Sequence, residues 1–504
     1  MKFSTLIKNL EIISFVGGDP EIKGISSNSG QIREGYLFVA IKGEKDDGHR
    51  FIEEAIKRGA VAVLVEEDIP LRPDFPAVRV RSSRRALSKL AVRFYDQPSS
   101  RLNLVGITGT NGKTTVSYLI KNILKNFGKR LGLLGTINYE IGDRVIPATN
   151  TTPDAAVLNS YLQDMVKENT DYAILEVSSH SISQHRIDEL DFNTGIFTNF
   201  GHDHLDYHHS LENYFQTKKR FFERLPAGAK AIINIDDPRS KEISRGIKAR
   251  IFSYAVGQEA DVFIKSNSLF LSLAGVRFIA SGPNGEFPVE CPLIGRHNVY
   301  NILAAACFCL SEGVPLEIIS SSLRNFPPVR GRLQRVDYGQ DFILFVDYAH
   351  TEEALKSVLT NLRSSMSGGR LITIFGCGGD RDRQKRAAMG KISSELSDVV
   401  ILTSDNPRSE NPQAIIEDIV KGIEKNSSLW VRLADGQAQA RYEIISDREE
   451  AIKRGIALAQ KGDIVLIAGK GHERYQIFRD TVVPFDDVEV ARKIILNKTS
   501  SPKL

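Results

Sequence analysis

Five residues in the stretch VGITGTNGKTTVSYLIKNIL, residues 105–124, have the types and spacing to hold a polyphosphate: Gly109, Gly112, Lys113, Thr114 and Thr115. Backbone N–H groups of a glycine-rich turn converge on one anion, and the helix that follows adds the positive end of its dipole. Lys113 then reaches the terminal phosphates and the Thr114 hydroxyl ligates Mg²⁺. The usual pattern places a glycine five residues before Gly112, where this chain has Ile107. The loop is a variant, and its partners must decide its use.

A second cluster, NFGHDHLDYH at 199–208, packs His202, Asp203, His204, Asp206 and His208 directly after a strand-like run. Imidazoles and carboxylates at this density suit a metal site or acid–base chemistry, and equally a solvated polar loop. Upstream, LEVSSH ends another strand with Glu176, whose carboxylate a doubly wound sheet brings beside the phosphate loop. Thr114, Glu176 and His204 together make a candidate hard-cation site. In ENYFQTKKRFFERL, the residues Lys218, Lys219 and Arg220 read by themselves as the charged face of an amphipathic helix.

These residues need elements to position them. A chain of 504 residues exceeds one ordinary core and suggests about three domains. Residues 1 to about 98 mix strand-like runs (YLFVAI, AVAVLVEE) with the helical FIEEAIKRGA and close on the turn-rich YDQPSSR. From 103 strand and helix alternate: NLVGIT, a helix from Thr114 to Phe127 stopped by Gly128, then YAILEV, TGIFTNF and AIINID. That alternation predicts a doubly wound, mostly parallel sheet. Pro327, Pro328 and Gly331 mark a second linker, so the domains are read as 1–98, 99–330 and 331–504. Beyond the linker, DFILFVDYAH, RLITIFGCGG, DVVILTSDNP and DIVLIAGKGHE are apolar strands with polar tails, and in an open α/β sheet those tails converge on one site. No internal repeat or low-complexity tract is visible.

Composition narrows the partners. A hydrophobic fraction of 41% and a charged fraction of 25% are those of a soluble globular protein. A net charge of +4 from 66 basic and 62 acidic residues gives no sign of a nucleic-acid or membrane surface and leaves anionic small substrates open. Cys291, Cys307, Cys309 and Cys377 form no CxxC pair and are too sparse for a disulfide framework, so a reducing cytoplasm is expected. The N-terminal MKFSTLIKNLEIISFVGGD is interrupted by Lys8, Asn9 and Glu11 and reads as neither signal peptide nor span.

GTNGKTT, NTTPD, LEVSSHSISQHR, TNFGHDHLDYH, GRHNVYN, VDYAHT, GCGGDRDRQKR, SDNPR and AGKGHERYQI, in this order over about residues 25–480, resemble the Mur ligases. The resemblance implies three domains, a small N-terminal α/β domain, a central P-loop-type sheet and a C-terminal Rossmann-like α/β domain, and a loop that tolerates Ile107. It implies that Gly109, Thr110, Asn111, Gly112, Lys113, Thr114 and Thr115 hold ATP, with Asn298 and Asn301 on the adenine side and Arg332 and Asp347 reaching in from the third domain. ATP would phosphorylate the γ-carboxylate of D-glutamate on a UDP-muramoyl dipeptide, and an amine would attack the acyl phosphate.

Lys113, His204 and Lys218 are the catalytic residues the resemblance implies, with Thr114 and Glu176 on one Mg²⁺, and His204 and a CO₂-carbamylated Lys218 on a second. Ser27, Ser29, Glu44, Lys45 and Asp46 match uridine-nucleotide contacts, although NSG at 28–30 replaces the family's frequent Asp-Ser-Arg. Asn150, Thr151, Thr152, Ser178, Gln184 and Arg186 match the grip on the muramoyl dipeptide. Arg381, Asp405, Asn406, Pro407, Arg408, Gly469 and Glu473 match the amino-acid site, and Arg408 implies meso-diaminopimelate as the added residue, with L-lysine as the alternative within the family. A folylpolyglutamate synthase shares the chemistry but lacks the uridine-nucleotide domain and DNPR. The implied enzyme is a cytoplasmic monomer acting on small molecules, with no nucleic-acid or membrane partner.

Overall fold

A computed structural model describes residues 1–43, 46–69, 74–423, 430–432, 438–440 and 442–500. Three large sheets follow one another along the described chain, beside two two-stranded ones, and the inner strands of the large sheets are buried. The first orders its strands Ile12–Val16, Ala77–Val80, Ala60–Val65, Tyr36–Val39 and Gly24–Ser26, all parallel except the edge strand Ile12–Val16. The helix Ser83–Phe94 covers one face, started by the Ser82 hydroxyl, which accepts from the Arg85 N–H.

The central sheet is parallel in its middle and antiparallel at both flanks. Asn103–Thr108 runs between Tyr172–Glu176 and Thr194–Phe197, paired in parallel with both. Such strands are covered on both sides, which is why NLVGIT and YAILE read as unbroken apolar runs. Helices Lys113–Asn126 and Arg296–Ser311 pack on one face, and Ala155–Lys167 and Leu211–Glu223 on the other. The antiparallel flank of Phe270–Ser272, Gly275–Gly282 and Gly285–Cys291 went unread in the sequence. The phosphate-loop helix starts at Lys113 and ends at Asn126, one residue before the expected bounds at each end.

The third sheet orders Gln334–Val336, Ile343–Asp347, Ile464–Ala468, Leu371–Phe375, Val399–Leu402 and Tyr442–Ile444. Only Gln334–Val336 runs antiparallel. The four apolar strands with polar tails are therefore parallel neighbours, and their tails leave the sheet at one end. Among the described residues no helix is long and apolar enough to cross a membrane.

Candidate active site

The phosphate loop is set by contacts that exclude side chains. Gly109 (φ +153°) and Gly112 (φ +89°) face Thr198 and Asn301, and a Cβ there would lie 1.9 Å from Thr198 Oγ1 and 2.3 Å from Asn301 Oδ1. Asn111 N donates to Asn199 Oδ1 (2.9 Å) and Thr198 Oγ1 donates to Asn111 O (2.6 Å), tying the loop to the adjoining strand end. Ile107, where the usual pattern has glycine, is fully buried inside the strand and pairs with Glu176 and Ile196, so that position belongs to the sheet. Gly112→Ala is expected to cost about 1–3 kcal/mol through strain and the clash with Asn301, read as a lower thermal midpoint; an unchanged midpoint would refute the close approach.

Lys113 Nζ folds over the loop, donating to Gly109 O and Thr110 O at 2.9 Å each. Burial lowers its pKa, with Glu176 opposing. Thr110 Oγ1 lies 3.3 Å from Tyr214 Oη and accepts from Gly201 N (2.9 Å). Thr115 is buried in the first turn of the helix. Asn298 and Asn301 sit on the facing helix, where Asn301 Nδ2 donates to Asn298 Oδ1 (2.9 Å).

Glu176 is fully buried at its strand's carboxyl end. Its carboxylate accepts from Thr114 Oγ1 (2.9 Å), Thr136 Oγ1 (2.8 Å), Thr136 N (3.2 Å) and Ser117 Oγ (3.4 Å). A hydroxyl and a carboxylate meeting beside an anion cradle are hard oxygen donors, a set that suits Mg²⁺. Thr136 and Ser117 orient Glu176 and were missed in the sequence, since a threonine in a loop and a serine in a helix carry no signal of their own.

From the helix Leu211–Glu223, Lys218 points inward and is 1% exposed. Its Nζ donates to Gly109 O at 2.9 Å, the same carbonyl that Lys113 uses, and lies 4.6 Å from the centre of the Tyr214 ring. Burial and the Lys113 charge hold its pKa well below the ordinary lysine value, which favours the neutral amine. His204 takes a left-handed conformation (φ +53°), with Nε2 3.5 Å from Asp203 Oδ2 and its ring 4.9 Å from that of His180. Partial burial, against the pull of Asp203, pushes its pKa down to about 4, leaving a neutral imidazole able to bind a metal.

The third domain reaches this loop directly. Arg332 Nη2 donates to Thr114 Oγ1 at 3.2 Å, and its guanidinium lies 4.9 Å from the centre of the Tyr348 ring. Asp347 does not contact the loop: its carboxylate accepts from Leu333 N (2.6 Å) and Ala349 N (2.8 Å), which fixes the turn carrying Arg332. A second bond crosses between the domains from His202 N to Glu353 Oε1 (2.9 Å).

On the other side of Glu176, Thr152 Oγ1 donates to Glu176 O (2.7 Å) and to Ser178 Oγ (3.2 Å). Arg186 binds Thr152 O (2.6 Å) and Gln184 Oε1 (2.7 Å), and Thr151 Oγ1 lies 3.1 Å from Thr136 Oγ1. Asn150 is held by the Tyr139 hydroxyl, to which its N–H donates (3.0 Å). Thr152, Ser178, Gln184 and Arg186 are thus joined in one polar wall, and Thr151 reaches Glu176 through Thr136. Ser27, Ser29 and Asp46 lie in the first domain, where Ser29 Oγ donates to Glu54 Oε2 (3.3 Å) and Asp46 O accepts from Gly43 N (2.8 Å). Glu44 and Lys45 lie outside the described residues. Arg85 Nε, 3.5 Å from His185 Nε2, links that domain to the Gln184–Arg186 turn.

At the same carboxyl end of the third sheet, Asn406 Nδ2 donates to Glu473 Oε2 (2.7 Å), and the fully buried Lys470 donates to Asn406 Oδ1 (3.0 Å) and Glu473 Oε2 (3.1 Å). Lys470 was missed, although it stands inside the AGKGHE motif between two matched residues. Gly469 (φ +110°) packs so that a Cβ would meet Asp405 Oδ2 at 2.6 Å. Arg408, half-buried, follows the buried Pro407 and donates through Nη1 to Gly379 O (2.7 Å), while Arg381 is exposed and bonds Asp380 O (3.3 Å). Among the described residues neither guanidinium lies within ion-pair distance of a carboxylate; nearby Glu410 is taken by Arg386 and Arg383.

Residues 21–95 match the sequence profile described as Mur ligase family, catalytic domain; 107–309 match the Mur ligase middle domain; and 331–471 match the Mur ligase glutamate ligase domain. A UDP-N-acetylmuramoyl-L-alanyl-D-glutamate–2,6-diaminopimelate ligase of Caldanaerobacter subterraneus subsp. tengcongensis is 42% identical over 482 residues, covering 95% of this chain and 96% of the relative. One of the same name from Geobacillus kaustophilus is 42% identical over 504 residues, covering 98% and 99%. A solved structure of a ligase of that name shares 33% identity at a TM-score of 0.67 and covers 99% of this chain and 100% of that one. A folylpolyglutamate synthase of Mycobacterium tuberculosis, 15% identical with a TM-score of 0.61, shares the fold.

Proposed function

The chain belongs to the Mur ligase family, and from that premise we propose that it joins meso-diaminopimelate to UDP-N-acetylmuramoyl-L-alanyl-D-glutamate, with cleavage of ATP to ADP and phosphate. The observation that carries this reading is the Arg332–Thr114 contact of 3.2 Å, which joins the domain bearing Arg381 and Arg408 to a phosphate loop. Residues 1–98 take the uridine nucleotide, 99–330 carry ATP and the dipeptide, and 331–504 bring the amino acid. The enzyme is read as a cytoplasmic monomer, and the four free, buried thiols support the reducing setting.

In this reading the loop amides and Lys113 hold the β- and γ-phosphates and neutralise their charge. Arg186 and the polar wall from Thr152 to Ser178 orient the D-glutamyl γ-carboxylate in line with the γ-phosphorus. The carboxylate oxygen bonds to phosphorus as the bond to ADP breaks; the diaminopimelate amine then attacks the acyl carbon, and phosphate leaves as the amine loses a proton. Mg²⁺ on Thr114 and Glu176, and a second ion on His204 and a carbamylated Lys218, would supply charge neutralisation at the transferred phosphoryl group. Arg332 and the neighbouring aromatic rings of Tyr348 and His472, 4.8 Å apart, exclude water that would hydrolyse the acyl phosphate.

The test is ADP release: it should require both the UDP-muramoyl dipeptide and meso-diaminopimelate. Release with either alone, or with a folate and glutamate in their place, would overturn the reading. Hinged closure over a reactive acyl phosphate predicts that nucleotide and dipeptide favour the arrangement in which Arg332 meets Thr114. Small-angle scattering should show compaction on adding ATP and UDP-muramoyl dipeptide, and superimposable profiles would count against closure.

A further inference from the structure

Arg448 and Asp487 form a bidentate ion pair in which both side chains are 0% exposed, with Nε to Oδ1 at 2.7 Å and Nη2 to Oδ2 at 2.8 Å. Each is the first residue of its helix, Arg448–Leu458 and Asp487–Ser500. The guanidinium has further donors, and they reach two strand ends: Nη2 donates to Ala468 O (3.0 Å) and Nη1 approaches Ser404 O (3.4 Å). Ala468 immediately precedes Gly469, and Ser404 immediately precedes Asp405 and Asn406. The two strands concerned, Ile464–Ala468 and Val399–Leu402, do not touch; Leu371–Phe375 lies between them.

We propose that the Arg448–Asp487 pair is a positioning device for the amino-acid site: one guanidinium, aimed by a carboxylate from the C-terminal helix, holds the SDNPR and AGKGHE turns in register from beneath. The reason is geometric. Gly469 comes close enough to the Asp405 carboxylate that a Cβ would sit 2.6 Å from Oδ2, so a shift of either turn changes the other. Asn406 bonds Glu473 and Lys470 across the same gap, and these bonds hold only while the turns keep their separation. A planar fork can serve a carboxylate on one edge and carbonyls on the other, which a lysine ammonium cannot reproduce. An apolar pair of the same volume would fill the space and leave the carbonyls without this donor.

The inference rests on the ligase reading above, and its test separates the two. Removing one partner strands a buried charge, so the informative variant replaces both, Arg448→Met with Asp487→Leu, an exchange that buried ion pairs often tolerate. In the full chain we expect KM for meso-diaminopimelate to rise about tenfold or more while KM for ATP stays put, because misplacement acts at the second substrate alone. An unchanged diaminopimelate KM, or equal rises for both substrates, would overturn the proposal. If the double variant fails to fold, Arg448→Lys takes its place and should show the same one-sided rise; wild-type constants there would overturn it.

Hydrogen exchange in the free protein supplies the independent readout. The Gly469 amide, bonded to Asp347 O at 3.1 Å, and the Arg408 amide, bonded to Ile477 O at 3.0 Å, should exchange at least tenfold faster in the variant. Should the wild type ligate no diaminopimelate, the function proposed above fails, and these two amides still decide the clamp: acceleration supports it and unchanged protection refutes it.

Discussion

Lys218→Ala is expected to lower ligation by roughly 10²–10³-fold, the loss seen when one preorganised electrostatic group is taken from a reacting centre. The helix carrying it sorts its cations: Lys219 pairs with Glu223 at 3.1 Å and Arg220 is exposed, whereas Lys218 lies inside with its amine on the Gly109 carbonyl. Two amines on one carbonyl cannot both be charged at small cost, and burial tilts Lys218 toward the neutral form. A neutral amine is the species that attacks CO₂: nitrogen bonds to carbon, one N–H proton departs, and a carboxylate stands where an ammonium would repel a metal. Short-chain carboxylates should restore part of the activity in Lys218→Ala, and ¹³C-labelled bicarbonate should give a carbamate resonance in the wild type that the variant lacks. Near-normal activity in Lys218→Ala, or no labelled resonance in the wild type, would make Lys218 a packing residue.

For Arg408→Ala the expected loss is roughly 10- to 150-fold in meso-diaminopimelate use, from a charge-assisted pair worth about 1.5–3 kcal/mol in a desolvated site. L-lysine lacks the distal carboxylate, so its use should change far less. Arg408 is held in a left-handed conformation (φ +51°) by Ile477 O on its N–H (3.0 Å) and Arg479 N on its carbonyl (2.7 Å). Burial and then nearby Arg381 lower its pKa against the pull of Asp405, Glu473 and Asp380, so a second carboxylate brought to the guanidinium would favour its charged form. A structural ion pair would have been the ordinary explanation for this arginine, yet its guanidinium bonds the Gly379 carbonyl. Steady-state ligation with both amino acids decides: a wild-type preference for L-lysine, or an Arg408→Ala variant that discriminates as before, would overturn the assignment.

The contrast between Lys218 and Lys219 shows where sequence reading stops. Helical periodicity places both on a helix, and the family resemblance singles out one, but only packing against Tyr214 and the Gly109 carbonyl gives the inner residue its environment. At Asp347 only the structure shows what a strand-end carboxylate does locally: it accepts from the backbone N–H groups of Leu333 and Ala349.

What the sequence determined by itself is local. Glycines at 109 and 112 before Lys113, strands written as unbroken apolar runs, and polar tails after each of them follow from backbone sterics and burial over a few neighbouring residues, and a short window contains that information. What tertiary structure decided is which tails meet. Ile464–Ala468, the last strand of its sheet to be made, inserts between Ile343–Asp347 and Leu371–Phe375, and this brings Gly469 beside Asp405. Arg332 meets Thr114, and Arg448 meets Ala468 and Ser404, for the same reason. Such contacts join residues from 20 to more than 200 positions apart, and the free energy that selects them comes from burying whole faces of sheet and helix at once, a quantity no short stretch of residues carries.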